Sequence, residues 1–134
     1  MTVTTDHPNV QIVHAMTDAV FSQDHDALAK IFTDDMVFHF RAPHPMNGDH
    51  QGLGGFLSVL GSIFEMTGGQ IDLDTKFCLA TDGWAAEFEH GHLTRNGRTV
   101  TSQNSFVYRF EGDRIAEMWM YLGVLPEVAE AHFG

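Results

Sequence analysis

The sequence predicts a single α+β domain with helices first and a meander of antiparallel strands after them. Three observations predict it. Apolar residues recur at helical spacing as far as Gly68, then alternate with a period of two from Gln70 onward. Turn signals at Asp82-Gly83, "RNGR" and "EGDR" cut the second half into strands. The 134 residues are 43% hydrophobic, enough for one core without disulfides or metals. The whole chain, 1–134, reads as one domain without repeats, linkers or low-complexity segments.

"DHPNVQIVHAMTDAVF" starts on Asp6 and Pro8 and carries Val10, Val13, Met16 (or Thr17) and Val20 at helical spacing. "SQDHD" interrupts it, and Asp24 caps a short second helix that turns Leu28, Ile31 and Phe32 inward. "TDD" closes that helix and "MVFHFRA" follows as the first strand. "PHPMNGDHQG" reads as a loop on turn chemistry alone. "LGGFLSVLGSIFEMTGG" is a third helix, with Leu53, Phe56, Leu57, Leu60 and Phe64 on one face and Gly68-Gly69 at its end. Gly54, Gly55 and Gly61 weaken it by up to about 1 kcal/mol each, which suggests close packing against a sheet. "QIDLDTKFCLAT" reads as a strand pair with Ile71, Leu73 and Phe77 alternating. "WAAEFEHGHLT" and "TVTSQNSFVYRF" flank the "RNGR" hairpin, "IAEMWMYLG" is the last strand, and the tail from Pro126 is a short helix or a loose end.

Charge excludes several roles. A net charge of -11 with 7 Lys+Arg leaves no surface for tracking phosphates, so neither nucleic acid nor membrane is expected as a partner. The lone Cys78 fits a reducing compartment. No signal-peptide pattern and no apolar run of the roughly 18 residues that a span needs are seen, so a cytoplasmic location is expected. No phosphate-cradling loop, dinucleotide fingerprint or nucleophile elbow is present, and no cofactor is expected.

"DHPN", "SQDHDALAKIFTDDMVFHF", "GDHQGLGGFL", "TGG", "RNGR" and "FEGDRIAEMWMY" together resemble the nuclear-transport-factor-two-like superfamily, in its SnoaL-like, ketosteroid-isomerase-related branch. The resemblance spans roughly residues 6 to 125. It implies a cystatin-like α+β barrel: a cone of curved antiparallel strands wrapped around a long helix, with a pocket at its open end. It also implies a homodimer through the outer sheet face. The branch holds isomerases, cyclases, dehydratases and epoxide hydrolases, so the site must decide. Here the chain departs from its relatives. Met16 stands where ketosteroid isomerases carry a tyrosine, their basic Asp falls at His39 or Phe40, and their second oxyanion donor falls near Phe106. SnoaL-type cyclases carry an acid after the last-strand Trp, whereas Met120 follows Trp119.

His39 interrupts an apolar strand at the position of the isomerase base. Its unperturbed pKa of ~6.5 suits proton transfer, while the plain alternative is a core histidine bonded to a carbonyl. In "EFEHGH", alternation places Glu87, Glu89 and Gly91 on one face and Phe88, His90 and His92 on the other. The resemblance puts the glutamates inward, where a carboxylate could orient His39. The other face raises a His-x-His metal pair, with His39 as third ligand, but no Glu follows at a suitable distance and no metal is expected. Asn104, Phe106 and Tyr108, Met118, Met120 and Leu122, with Met16 and Phe40, are the substrate-binding candidates. Arg41 and His44 sit at the rim or in a solvated loop.

The function expected is cofactor-free acid/base chemistry on a small apolar carbonyl or hydroxyl compound: isomerisation, dehydration or cyclisation. His39 moves the proton, Glu89 (or Glu87) orients it, and Asn104 and Tyr108 hold the oxygen. The alternative is a dimeric small-molecule-binding module without catalysis.

Overall fold

The structure, a computed structural model, describes residues 5–124 and 126–133. Along the chain run α1 (Pro8–Ser22), α2 (His25–Ile31), β1 (Phe32–Arg41), β2 (Gly48–Gln51), α3 (Gly52–Thr67), β3 (Ile71–Ala80), β4 (Trp84–Arg95), β5 (Arg98–Glu111), β6 (Arg114–Gly123) and α4 (Pro126–Phe133). The fold is α+β, as the switch of period predicts. Among the described residues no helix is long and apolar enough to cross a membrane.

Local chemistry explains the helix ends. Pro8 opens α1, where its missing N–H is no loss, and His7 Nδ1 accepts a hydrogen bond from the Asn9 N–H. Asp24 caps α2 by accepting from the Ala27 N–H. Gly68 ends α3 in the left-handed region, at φ 61. The glycines of α3 are not all close-packed. A Cβ at Gly55 would meet His50 at 3.0 Å, but Gly54 and Gly61 face open space.

The six strands form one sheet in the order β2-β1-β6-β5-β4-β3. β1 and β6 run parallel and every other neighbouring pair is antiparallel. The sheet is therefore mixed rather than wholly antiparallel. It stays open at β2 and β3 instead of closing into a barrel. The segment read as a loop contains β2, whose four residues pair with Val37 to Phe40 of β1. β1 itself begins at Phe32, because the chain turns extended directly after α2 and draws "TDD" into the strand.

One face of the sheet is covered by α1 and α3, and the core lies between these layers. Val10, Val13 and Met16 come from α1, Phe56 and Val59 from α3, and Met36, Phe38 and Phe40 from β1. β3 is one strand rather than a pair. An irregularity between Thr75 and Phe77 inserts an extra residue, Lys76, and reverses the parity of the rest of the strand. Ile71 and Leu73 thus face the helices, whereas Phe77 lies opposite Phe88 and is 47% exposed. Cys78 turns inward in its place, opposite Glu87.

Candidate functional site

A cavity of about 100 Å³ lies between the two long helices and the covered sheet face. α1 contributes Met16, Thr17, Val20 and Phe21, and α3 contributes Phe56, Leu60, Ile63 and Phe64. β4 supplies Glu87 and Glu89, β5 Asn104, Phe106 and Tyr108, and β6 Met118, Met120 and Leu122. Among the lining residues Phe21 is exposed and packs edge-on against Phe64.

Strand alternation sets the polar groups. On β4 the odd-numbered residues Glu87, Glu89 and Gly91 all point inward and are buried. Each carboxyl meets one neutral donor on β5. Tyr108 Oη–H donates to Glu87 Oε1 at 3.2 Å, and Asn104 Nδ2–H donates to Glu89 Oε1 at 3.1 Å. Gly91 makes this possible, because a Cβ there would come within 2.9 Å of Asn104 Nδ2 and 2.8 Å of Ser102 Oγ.

Burial governs the electrostatics. The Glu87 carboxyl is pushed up to about 7, first by burial and then by the charge of Glu89, with the Tyr108 hydrogen bond pulling the other way. Burial also raises Glu89, partly offset by its bond to Asn104. Tyr108 is driven well above its ordinary range by burial and by both carboxyls, so it remains a phenol and a donor. Near neutral pH the Glu87 carboxyl therefore holds its proton part of the time, beside a second buried carboxyl, Glu89, on the same face of β4. Such pairs supply one group to give a proton and one to take it.

His39 does not join them. Period two alone gives the reason: Met36, Phe38 and Phe40 share one parity and face the core, which sends His39 to the outer face. There its Nδ1 lies 2.8 Å from Asp49 Oδ1 and its Nε2 2.6 Å from Glu117 Oε2. Its ring stacks on Trp119 at 4.9 Å. The His39 hydrogen bond, then Arg109, holds Glu117 below its ordinary range. The expected pairing of His39 with Glu89 or Glu87 in one hollow is thus corrected, since the sheet separates them. Phe40 is buried in the core against His44 rather than lining the cavity.

His44, read from the sequence as a rim or solvated-loop residue, lines the cavity. It is 8% exposed and burial lowers its pKa, so it is a neutral imidazole. Arg41 is exposed and pairs with Asp49. The partners of His39, Asp49 and Glu117, carried no local signal, because strand pairing alone brings them together.

His90 and His92 lie on the outer face, where His92 Nδ1 meets Thr101 Oγ1 and His90 packs edge-on to Phe88. His14, Cys78 and Glu87 place one donor atom each within 4.8 Å of one another. Burial and Glu87 push the Cys78 thiol up to about 12. A cation there would have to displace protons from both the thiol and Glu87 before gaining two ligands.

A family model described as SnoaL-like domain matches residues 13–118. No curated protein matches the chain. Among solved structures, Bal32a from a soil-derived mobile gene cassette is 18% identical, with a TM-score of 0.82 over 95% of this chain and 97% of its own. A Burkholderia pseudomallei K96243 protein described as NTF2-like is 16% identical, with a TM-score of 0.81 over 96% and 99%. A Xanthomonas campestris protein with a cystatin-like fold is 22% identical, with a TM-score of 0.79 over 94% and 98%. At these identities the likeness is one of fold.

Proposed function

Since this chain belongs to the SnoaL-like domain family, within the nuclear-transport-factor-two-like superfamily, we propose that its cavity performs acid/base chemistry on a small, largely apolar carbonyl or hydroxyl compound, without a cofactor. The observation that carries this reading is the pair of buried glutamates in an otherwise apolar cavity, each bonded to a neutral donor on the next strand. Burying two carboxyls is unfavourable for a structural core, where apolar side chains of the same size would pack without desolvating a charge. Glu87, with its raised pKa, is the proton donor and Glu89 the acceptor. Tyr108 and Asn104 fix their orientation, and the Met and Phe walls exclude water. The reaction class is dehydration, isomerisation or cyclisation.

A panel of cyclic alcohols, enones and epoxides assayed for turnover tests this. Glu87→Gln and Glu89→Gln are each expected to lower kcat by about 10²–10⁴, while His39→Phe leaves it unchanged. Full activity in both Gln variants would overturn the assignment.

The outer sheet face supports a homodimer. Phe77, Trp84 and Tyr121 are exposed there, and Trp119 stacks between Trp84 and His39. An aromatic patch of this kind on an exposed sheet face is what a second copy of the chain would cover.

A further inference from the structure

On β5, two inward-facing side chains each give a donor to a glutamate. Tyr108 Oη–H serves Glu87 and Asn104 Nδ2–H serves Glu89. Asn104 Oδ1 is buried without a hydrogen-bond partner, on a side chain 3% exposed that lines the cavity. Among the described residues lining it there is no Lys or Arg, and burial holds His44 neutral. The walls add the rings of Phe21, Phe38, Phe56, Phe64, Phe106 and Tyr108, whose faces attract cations.

A site that stabilises an enolate aims uncommitted donors at the developing oxyanion. This one surrounds a ligand with two carboxyls, the Asn104 amide oxygen and aromatic faces, and no Lys or Arg stands among its described lining residues. Resting on the acid/base reading above, we infer that the cavity stabilises positive charge: the step it serves passes through a cationic transition state, and small apolar amines are its preferred ligands. In a dehydration, Glu87 gives its proton to the substrate hydroxyl, and the C–O bond breaks with both electrons leaving on water. A carbon cation then stands among the rings and carboxylates. Glu89 takes a proton from the neighbouring carbon, the C–H electron pair becomes the C=C bond, and the products are an alkene and water. Transfer of that proton from Glu89 to Glu87 restores the starting state.

The test compares benzylamine, benzyl alcohol and benzoate, which share one ring and differ in charge, by isothermal titration calorimetry in about 0.15 M salt. Benzylamine should bind about tenfold more tightly than benzyl alcohol, and benzoate should not bind. In Glu89→Gln the preference for the amine should disappear while benzyl alcohol keeps its affinity, which separates the cavity from general attraction to an acidic surface. If benzyl alcohol or benzoate binds at least as tightly as benzylamine, or the preference survives in Glu89→Gln, the cationic assignment is wrong and the acid/base reading stands. If none of the three binds, both fall.

Discussion

The proposed chemistry turns on Glu87, and its protonation is linked to stability. Its folded-state pKa of about 7 lies above the ordinary 4.5, so folding takes up a proton between those values. The stabilisation is full below about 4.5 and is lost as the pH rises through about 7. Glu87→Gln keeps an acceptor for the Tyr108 hydroxyl but removes the charge. Thermal melts across that range should show the wild type losing Tm while Glu87→Gln stays flatter and becomes the more stable of the two on the alkaline side. A wild-type Tm that does not fall would mean that Glu87 titrates like a surface carboxyl. His39 teaches the converse at the same scale. An ionisable residue among apolar ones marks a change of face, and its two carboxylate partners are outside the cavity.

At the scale of the element, β4 and its partner β5 build the site. Glu89 lies directly opposite Asn104 and Gly91 opposite Ser102, so a side chain at Gly91 acts on the Asn104 amide at once. Gly91→Ala should displace Asn104 from Glu89 and weaken ligand binding without unfolding the sheet. Carboxyl and amide NMR shifts of these two residues, unchanged in the variant, would refute that coupling. The alternation of "EFEHGH" and of Asn104, Phe106 and Tyr108 was readable because β4 and β5 pair without interruption from Trp84↔Arg109 to Arg95↔Arg98. The same logic sent Phe77 the wrong way, because the extra residue on β3 reverses its parity and sequence patterning carries no mark of a bulge. β2 was hidden because its four residues follow prolines and turn formers, and only pairing with β1 makes them a strand. His39 was misplaced by aligning it with a catalytic position of related folds, although the parity of Met36, Phe38 and Phe40 already pointed it outward.

For the whole molecule, the two faces of one sheet differ in character. The covered face holds the cavity, and the outer face carries Trp84, Trp119 and Tyr121 beside the ion pairs of Arg109 and Glu117. Two copies of a chain with net charge -11 repel one another, and salt screens that repulsion. Sedimentation should therefore show a dimer that tightens as salt rises, and Trp84→Glu should shift it to monomer. A wild-type monomer at every salt concentration would contradict the outer-face assignment.

The central claim is tested most directly by carboxyl-carbon NMR of glutamate-labelled protein titrated with acid. One glutamate signal should titrate near pH 7, disappear in Glu87→Gln and shift to lower pH in Glu89→Gln, where the neighbouring charge is gone. If every glutamate titrates in the ordinary carboxylate range, the cavity holds no proton to donate and the account fails.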